Sequence, residues 1–302
     1  MEIEKLKDKK SLKELFEFGI IIFDKPAGWT SFDVVNFVKH KLKLRKASHF
    51  GTLDPMVTGV LPIALNRAVK LTGFFIGEDK EYEGVMRIHD DVSLDEIKKV
   101  IEEKFLGKII QLPPVRSSVK RQEREREIKK FELLENENLQ LVPHTSSNPT
   151  TGNRRKGKNI SFRVECQGGT YVRKLVHDLG EEMKIGAHMT QLRRIRAGIF
   201  LEKDSITKEE FEKAVENEDE LKNIILPAEI ITKIYSVIKV KKEFEDKLLH
   251  GAPLDEKFLM KKEKTEKGKI ICVFSDEKFV GMYKIVNEKN ILAKPEFILQ
   301  PI

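Results

Sequence analysis

Within the run "SHFGTLDPMVTGVLP", Ser48 to Pro62, there is a single acid, Asp54, set between Leu53 and Pro55. An aspartate in front of proline often does no more than shape a turn, because its side chain accepts backbone N–H bonds. The neighbours of Asp54 point further. His49, Thr52 and Asp54 gather polar groups on one short loop, where Gly51 and Pro55 bracket a tight turn and Gly59 opens the apolar stretch "GVLPIAL". Short polar loops flanked by buried strands are where reacting groups are commonly carried. Turn-former and reacting carboxylate both stand as readings of this stretch alone.

The elements that must position this loop are readable around it. "GIIIF" predicts a short buried strand over Ile20 to Phe23, ended by the turn signal at Pro26 and Gly28. Thr30 or Ser31 then caps a helix in which Phe32, Val35, Phe37 and Val38 recur at helical spacing. A strand is expected through "GVLPIAL", a short helix through "AVKLTGFFIG" and another strand through "KEYEGVMRIH". Ser93 with Glu96 forms a capping box opening "LDEIKKVIEEKF". "NISFRVECQGG" alternates as a strand, and Val172, Leu175, Val176 and Leu179 form one stripe of a helix. "EEFEKAVENEDE", Glu209 to Glu220, reads as one solvated acidic helix. Strands and helices mix without a regular βαβα rhythm, so the fold class expected is α+β. "VPHTSSNPTTGNRRKGK" (Val142–Lys158) has no periodicity and reads as a surface loop. Beyond about residue 231, short apolar runs between charged turns suggest a small β-rich domain. The division expected is an extension over 1–18, a large domain over 19–230 and a small one over 231–302.

Composition narrows the function classes. The 302 residues are 40% hydrophobic, enough for a folded core, and no apolar run reaches the roughly 18 residues of a membrane span. With no signal-peptide core following "MEIEKLKDKK", a cytoplasmic protein is expected. Cys166 and Cys272 lie far apart with no histidine at ligand spacing, which argues against a disulfide framework or a zinc site. Gly-rich phosphate loops, HExxH and GxSxG are absent. Lys plus Arg number 56 against 49 acids, a net charge of +7. The cations concentrate in "PPVRSSVKRQEREREIKK", "GNRRKGK" and "TQLRRIRAG", segments that can converge on one polyanion-binding face or remain ordinary solvated surface.

Six blocks in order carry a resemblance. "SHFGTLDPMVTGVLPIAL" resembles the active-site motif of the TruB/dyskerin family of pseudouridine synthases, "DKPAGWTS" its lysine-proline motif and "KEYEG" its tyrosine motif. "QLPPVRSSVKR" is similar to the start of the family's RNA-clasping thumb loop, "GGTYVRKLVHDLG" to its arginine motif and "GAHMTQLRRIRAG" to its last core motif. The likeness covers about Gly19 to Phe200. More loosely, the C-terminal part is similar to the PUA domain, an RNA-binding β-barrel. The resemblance implies a pseudouridine-synthase fold: a mixed, largely antiparallel sheet with flanking helices, followed by that barrel. "PPVRSSVKR" and "RIHDDV", and the lack of long lysine-rich tails, look most like the archaeal H/ACA branch.

What the resemblance implies for chemistry is specific. Uridine is isomerised by breaking the C–N glycosidic bond, turning the base and joining C5 to the sugar, with no metal and no cofactor. Asp54 matches the nucleophile, and whether it attacks the sugar or first abstracts a proton stays open. Arg173 matches the arginine that pairs with it, Tyr82 the tyrosine that stacks on the flipped base and can accept the C5 proton. Read without the motif, each of these has a plainer fate, a surface arginine and a core tyrosine. His49 is expected to line the pocket, Lys25 to brace the loop rather than react, and Leu192 to form the apolar wall under the base. Arg193, Arg194 and Arg196, with Arg116, Lys120, Arg121, Arg124 and Arg126, are candidates for phosphate contacts that position RNA without reading sequence.

Two departures from the pattern, Ser48 for glycine and Phe50 for a smaller residue, are expected to tighten the loop and alter the pocket rim. Partners implied are an H/ACA guide RNA, rRNA or tRNA as substrate, and small H/ACA partner proteins, with no membrane. The leading reading is a guide-directed enzyme. Its alternatives are a stand-alone tRNA T-loop enzyme and a non-catalytic H/ACA scaffold.

Overall fold

The computed structural model describes residues 3–113, 121–134 and 157–300. In chain order, α1 (Ile3–Lys9) and α2 (Leu12–Glu17) lead into β1 (Gly19–Lys25) and α3 (Ser31–Lys41). The Asp54 loop runs between β2 (Ala47–His49) and β3 (Thr58–Leu65). Then come α4 (Thr72–Ile76), β4 (Lys80–Ile88), α5 (Leu94–Lys104), β5 (Gly107–Gln111), β6 (Arg124–Leu134) and β7 (Lys158–Cys166). The helix α6 (Val172–Glu182), β8 (Ala187–Ala197), β9 (Phe200–Leu201), α7 (Lys208–Ala214) and α8 (Glu218–Ile224) follow. The rest comprises β10 (Ile225–Pro227), β11 (Ser236–Val240), α9 (Glu245–Leu249), β12 (Leu254–Asp255), β13 (Ile270–Ser275), β14 (Lys278–Glu288) and β15 (Ile291–Ile298).

The chain divides into two compact units: residues 21–64 with 71–224, and residues 1–20 with 65–70 and 225–302. In the first, the strands are hydrogen-bonded in the order β1-β3-β8-β4-β7-β6-β5, with β2 on β3 and β9 on β8. β3 and β8 run parallel, while β4 is antiparallel to both β8 and β7. This is the mixed, largely antiparallel α+β sheet expected. Strict alternation along β4 buries Lys80, Tyr82, Gly84, Met86 and Ile88 on one face and leaves Glu81, Glu83, Val85 and Arg87 partly open on the other. α6 turns Val172, Leu175, Val176 and Leu179 inward and packs against β8. The capping boxes at Thr30–Asp33 and Ser93–Glu96 start α3 and α5 where the sequence places them.

In the second unit, β11-β13-β14-β15-β12 form a curled five-stranded sheet of the PUA-like kind. Residues 1–18 belong to this unit rather than standing apart. Phe18 stacks on Phe279 at 5.4 Å, and Lys10 pairs with the buried Glu229 at 2.7 Å.

Two local expectations change. The acidic stretch 209–220 is not one helix: α7 ends at Ala214, and the Asn217 side chain accepts the N–H groups of Asp219 and Glu220 to start α8. An asparagine that can cap its own successors competes with helix continuation. "TQLRRIRAG" is not a surface patch but part of β8, in the interior of the sheet order. Residues 142–156 of the expected loop, with Arg116 and Lys120, lie outside the described residues.

Gly59 makes the parallel pairing of β3 with β8 possible. Its φ is +100°, and a β-carbon there would sit 2.2 Å from the Arg194 carbonyl oxygen. Gly59→Ala should destabilise this unit by about 2 kcal/mol or more through backbone strain and displacement of β8. Urea unfolding checks this, and an unchanged midpoint would contradict it.

Candidate active site

The Asp54 loop is fastened from below by main-chain acceptors. Lys25, fully buried at the end of β1, donates from Nζ to the carbonyls of Pro55 (2.9 Å), Pro26 (2.9 Å) and Trp29 (2.6 Å). The Gly28 N–H donates to the same Pro55 oxygen at 2.9 Å. Ser31, at the start of α3, accepts from the Leu53 N–H at 2.8 Å and donates to the Leu53 carbonyl at 3.1 Å. Arg194 of β8 donates from Nε to the Val60 carbonyl at 2.7 Å and from Nη2 to the Gly51 carbonyl at 3.1 Å. Phe50 is buried, stacked on Phe75 at 4.5 Å and near Phe200 at 6.0 Å. It anchors the loop in the core and does not form a pocket rim.

Asp54 does both things its sequence context allows, with different atoms. Its main-chain carbonyl accepts the Val57 N–H at 3.0 Å and closes the turn over Pro55 and Met56. Its carboxylate is left for the site, where Arg173 Nη2 of α6 lies 3.2 Å from Oδ2. Both side chains are about half exposed, at 48% for Asp54 and 52% for Arg173. Solvent therefore screens this pair in the free protein, and a ligand that excludes water would strengthen it.

Tyr82 sits under the loop, buried on β4 and in register with Arg194 on β8. Burial pushes its hydroxyl up, and the nearby Arg194 guanidinium opposes that. Leu192 is buried one step along β8, opposite Gly84, where a β-carbon would come 2.9 Å from its methyl. His49 is partly buried and its Nδ1 accepts the Gly51 N–H at 3.3 Å, which requires the neutral ring with the proton on Nε2. Burial first, then the Arg194 charge, hold its pKa down.

The basic residues separate sharply. Arg194 is 1% exposed and cannot touch a phosphate. Arg193 forks onto Asp24, at 2.9 and 2.7 Å, and pairs with Glu202. Arg196 binds Glu81 at 3.1 Å and Glu165 at 2.7 Å. All three are held by the protein itself, Arg193 and Arg196 by acids on neighbouring segments and Arg194 by main-chain carbonyls. Arg126 is partly exposed and reaches the Gly169 and Glu125 carbonyls, Arg124 is partly buried, and Arg121 is exposed. Among the described residues, no group of three or more His, Cys, Asp or Glu side chains is placed to hold a metal ion.

The structure thus sets the Asp54 carboxylate beside the Arg173 guanidinium, with Tyr82 and Leu192 buried on the neighbouring strands β4 and β8. Residues 39–172 match the TruB family pseudouridylate synthase N-terminal domain, and residues 173–232 match the tRNA pseudouridylate synthase B C-terminal domain. The chain belongs to the TruB family. It is 38% identical to a "Probable tRNA pseudouridine synthase B" of Sulfurisphaera tokodaii, over 97% of this chain and 86% of that protein. A protein of the same name from Methanocaldococcus jannaschii is 37% identical, over 94% and 81%. Among solved structures, the chain is similar to one in "Crystal Structure of a Cbf5-Nop10-Gar1 Complex", with TM-score 0.82, 33% identity and coverage of 98% and 89%. It is also similar to one in "Structure of H/ACA RNP bound to a substrate RNA containing 2'-deoxyuridine", with TM-score 0.80, 31% identity and coverage of 98% and 89%. The chain is thus a TruB-family pseudouridine synthase, an isomerase.

Three residues at this TruB-family site were not singled out from sequence: Ser31 as a loop clamp, Phe50 as an anchor and Lys80. Lys80 is 4% exposed, and its Nζ donates to the carbonyls of Phe75, Ile76 and Glu78 at the end of α4. Its signal was present, since it shares the period-two face of Tyr82, Met86 and Ile88. Burial first, then the Arg194 charge, push Lys80 down to about 8 from the ordinary 10.5. The native protein therefore sheds this proton before the unfolded chain does, and stability attributable to Lys80 rises between pH 8 and 10.5. Unfolding free energies of wild type and Lys80→Met, measured at neutral pH and near pH 10, should diverge by up to about 3 kcal/mol, wild type gaining. A constant difference across that range would contradict the assignment.

Proposed function

We propose that this chain is the catalytic subunit of a guide-RNA-directed pseudouridine synthase, acting on rRNA uridines as part of a cytoplasmic H/ACA ribonucleoprotein. The observation that carries this is the near full-length likeness to chains solved in assemblies with Nop10 and Gar1, or with H/ACA and substrate RNA. In this reading the small partner proteins and guide RNA deliver the target, so the enzyme itself needs little sequence readout. A second reading has its own support. The curated relatives carry the name of a tRNA enzyme, which fits a chain that modifies the T-loop uridine of tRNA unaided.

Asp54 is the nucleophile, with Arg173 pairing with its carboxylate and fixing its orientation. Tyr82 and Leu192 grip the extruded base from its two faces, and His49 borders the sugar and phosphate. Lys25 stays outside the reaction, as the brace of Pro55. Of the described cations, Arg121, Arg124 and Arg126 remain as phosphate contacts, since Arg193, Arg194 and Arg196 are otherwise engaged.

Two measurements test the assignment. Purified protein is incubated with unmodified tRNA alone, then with guide RNA, partner proteins and an rRNA fragment, and pseudouridine is quantified. Conversion of the rRNA only with the guide present is expected; complete conversion of tRNA alone, unstimulated by a guide, would move the assignment to the stand-alone enzyme. Arg121→Ala should lower the salt slope of RNA binding by about one unit and leave the rate on bound RNA unchanged. An unaltered slope would remove Arg121 from the interface.

A further inference from the structure

Phe32 and Met56 are large apolar side chains left in solvent beside the Asp54 carboxylate. Phe32 is 65% exposed and Met56 60%, and among the described large apolar side chains only Ile110 is more open. The helical spacing of "SFDVVNFV" groups Phe32 with the apolar stripe of α3, yet the residues that α3 buries are Ser31, Val34, Val35 and Val38. Apolar side chains scattered singly over a surface need no explanation. Two that flank one reacting group call for an occupant.

Both stand on clamped backbone. Phe32 follows Ser31, whose hydroxyl accepts the Leu53 N–H at 2.8 Å and donates to the Leu53 carbonyl at 3.1 Å. Met56 follows Pro55, whose carbonyl accepts the Lys25 ammonium and the Gly28 N–H, both at 2.9 Å. Met56 also lies inside the turn that the Val57 N–H closes on the Asp54 carbonyl at 3.0 Å. The backbone thus sets Phe32 beside Leu53 and Met56 beyond Pro55, with the half-exposed Asp54 between them. An occupant that stayed over this rim permanently would shut substrate away from the carboxylate, so the two side chains are kept for the substrate itself.

A uridine that reaches Asp54 leaves its stack, and each neighbour on the strand then turns a bare face to water. Phe and Met are among the side chains that wedge into opened base steps, and an aromatic ring stacks on any base without reading it. We propose that Phe32 and Met56 cap the two nucleotides flanking the extruded uridine, one each, and so hold the strand open while the target base lies between Tyr82 and Leu192. The inference rests on the reading of Asp54, Tyr82 and Leu192 given above. The contact forms only after extrusion, so it acts on the rate of bound RNA rather than on affinity.

The test is a single-turnover series, in whichever assembly converts the RNA, on an intact RNA and on two others with an abasic residue 5′ or 3′ of the target. Phe32→Ala and Met56→Ala should each keep the melting temperature within about 2 °C of wild type, bind intact RNA within about threefold and convert it about tenfold more slowly. On the RNA lacking the base it caps, each variant should match wild type, and the two should do so on opposite abasic RNAs. Phe32→Tyr and Met56→Leu should restore the rate on intact RNA. The same tenfold loss on all three RNAs, or no loss on the intact one, would overturn the proposal. Asp54→Asn tests the underlying reading separately: product formed at the wild-type rate removes the nucleophile assignment, whatever Phe32 and Met56 do.

Discussion

Cations that bind main-chain carbonyls fasten the Asp54 loop of this protein. Lys25 gathers three carbonyl oxygens from the two turns on either side of α3's entry, and Arg194 takes two more from the far side of the loop. A carbonyl held this way fixes backbone, where a side-chain ion pair fixes only a side chain. Rigidity is what a single reacting carboxylate demands, because a misplacement of about 1 Å can cost a hundredfold in rate. The scaffold follows from this demand: Gly59 brings β3 against β8, β8 brings Arg194 under the loop, and Phe50 pins the loop to Phe75 and Phe200.

The same cations set the electrostatics. Lys25 and Lys80 are both pushed down to about 8, by burial first and by Arg194 next, so the floor of the site stands near the limit of the positive charge it can keep. The arrangement also explains why the loop carries one acid. A second carboxylate would pair with these cations, release the carbonyls they hold and compete with Arg173 for Asp54.

Much of this was legible in residue patterns. The period of two along "KEYEGVMRI" gives β4 and its buried face, and the capping boxes give the starts of α3 and α5. The order of the motifs brings Asp54, Tyr82 and Arg173 into one place. What misled was charge. "TQLRRIRAG" reads as a basic patch because sequence does not show that Asp24, Glu81, Glu165 and Glu202 stand on neighbouring segments to neutralise it. Arg194 reads as a phosphate contact although it shares the alternating face of Leu192 on β8, as Lys80 shares that of Tyr82 on β4. The break between α7 and α8 was missed for a local reason, the capping side chain of Asn217.

The Asp54 carbonyl shapes the turn, and the proposed function assigns the reaction to its carboxylate, which Arg173 pairs with. Asp54→Asn keeps the carbonyl and the side-chain volume and removes only the charge. Measured together, its melting temperature and RNA affinity should stay within about 2 °C and threefold of wild type, while pseudouridine formation falls by about a thousandfold or more. Pseudouridine formed at the wild-type rate would contradict the account, and so would a loss of folding and RNA binding in step with activity.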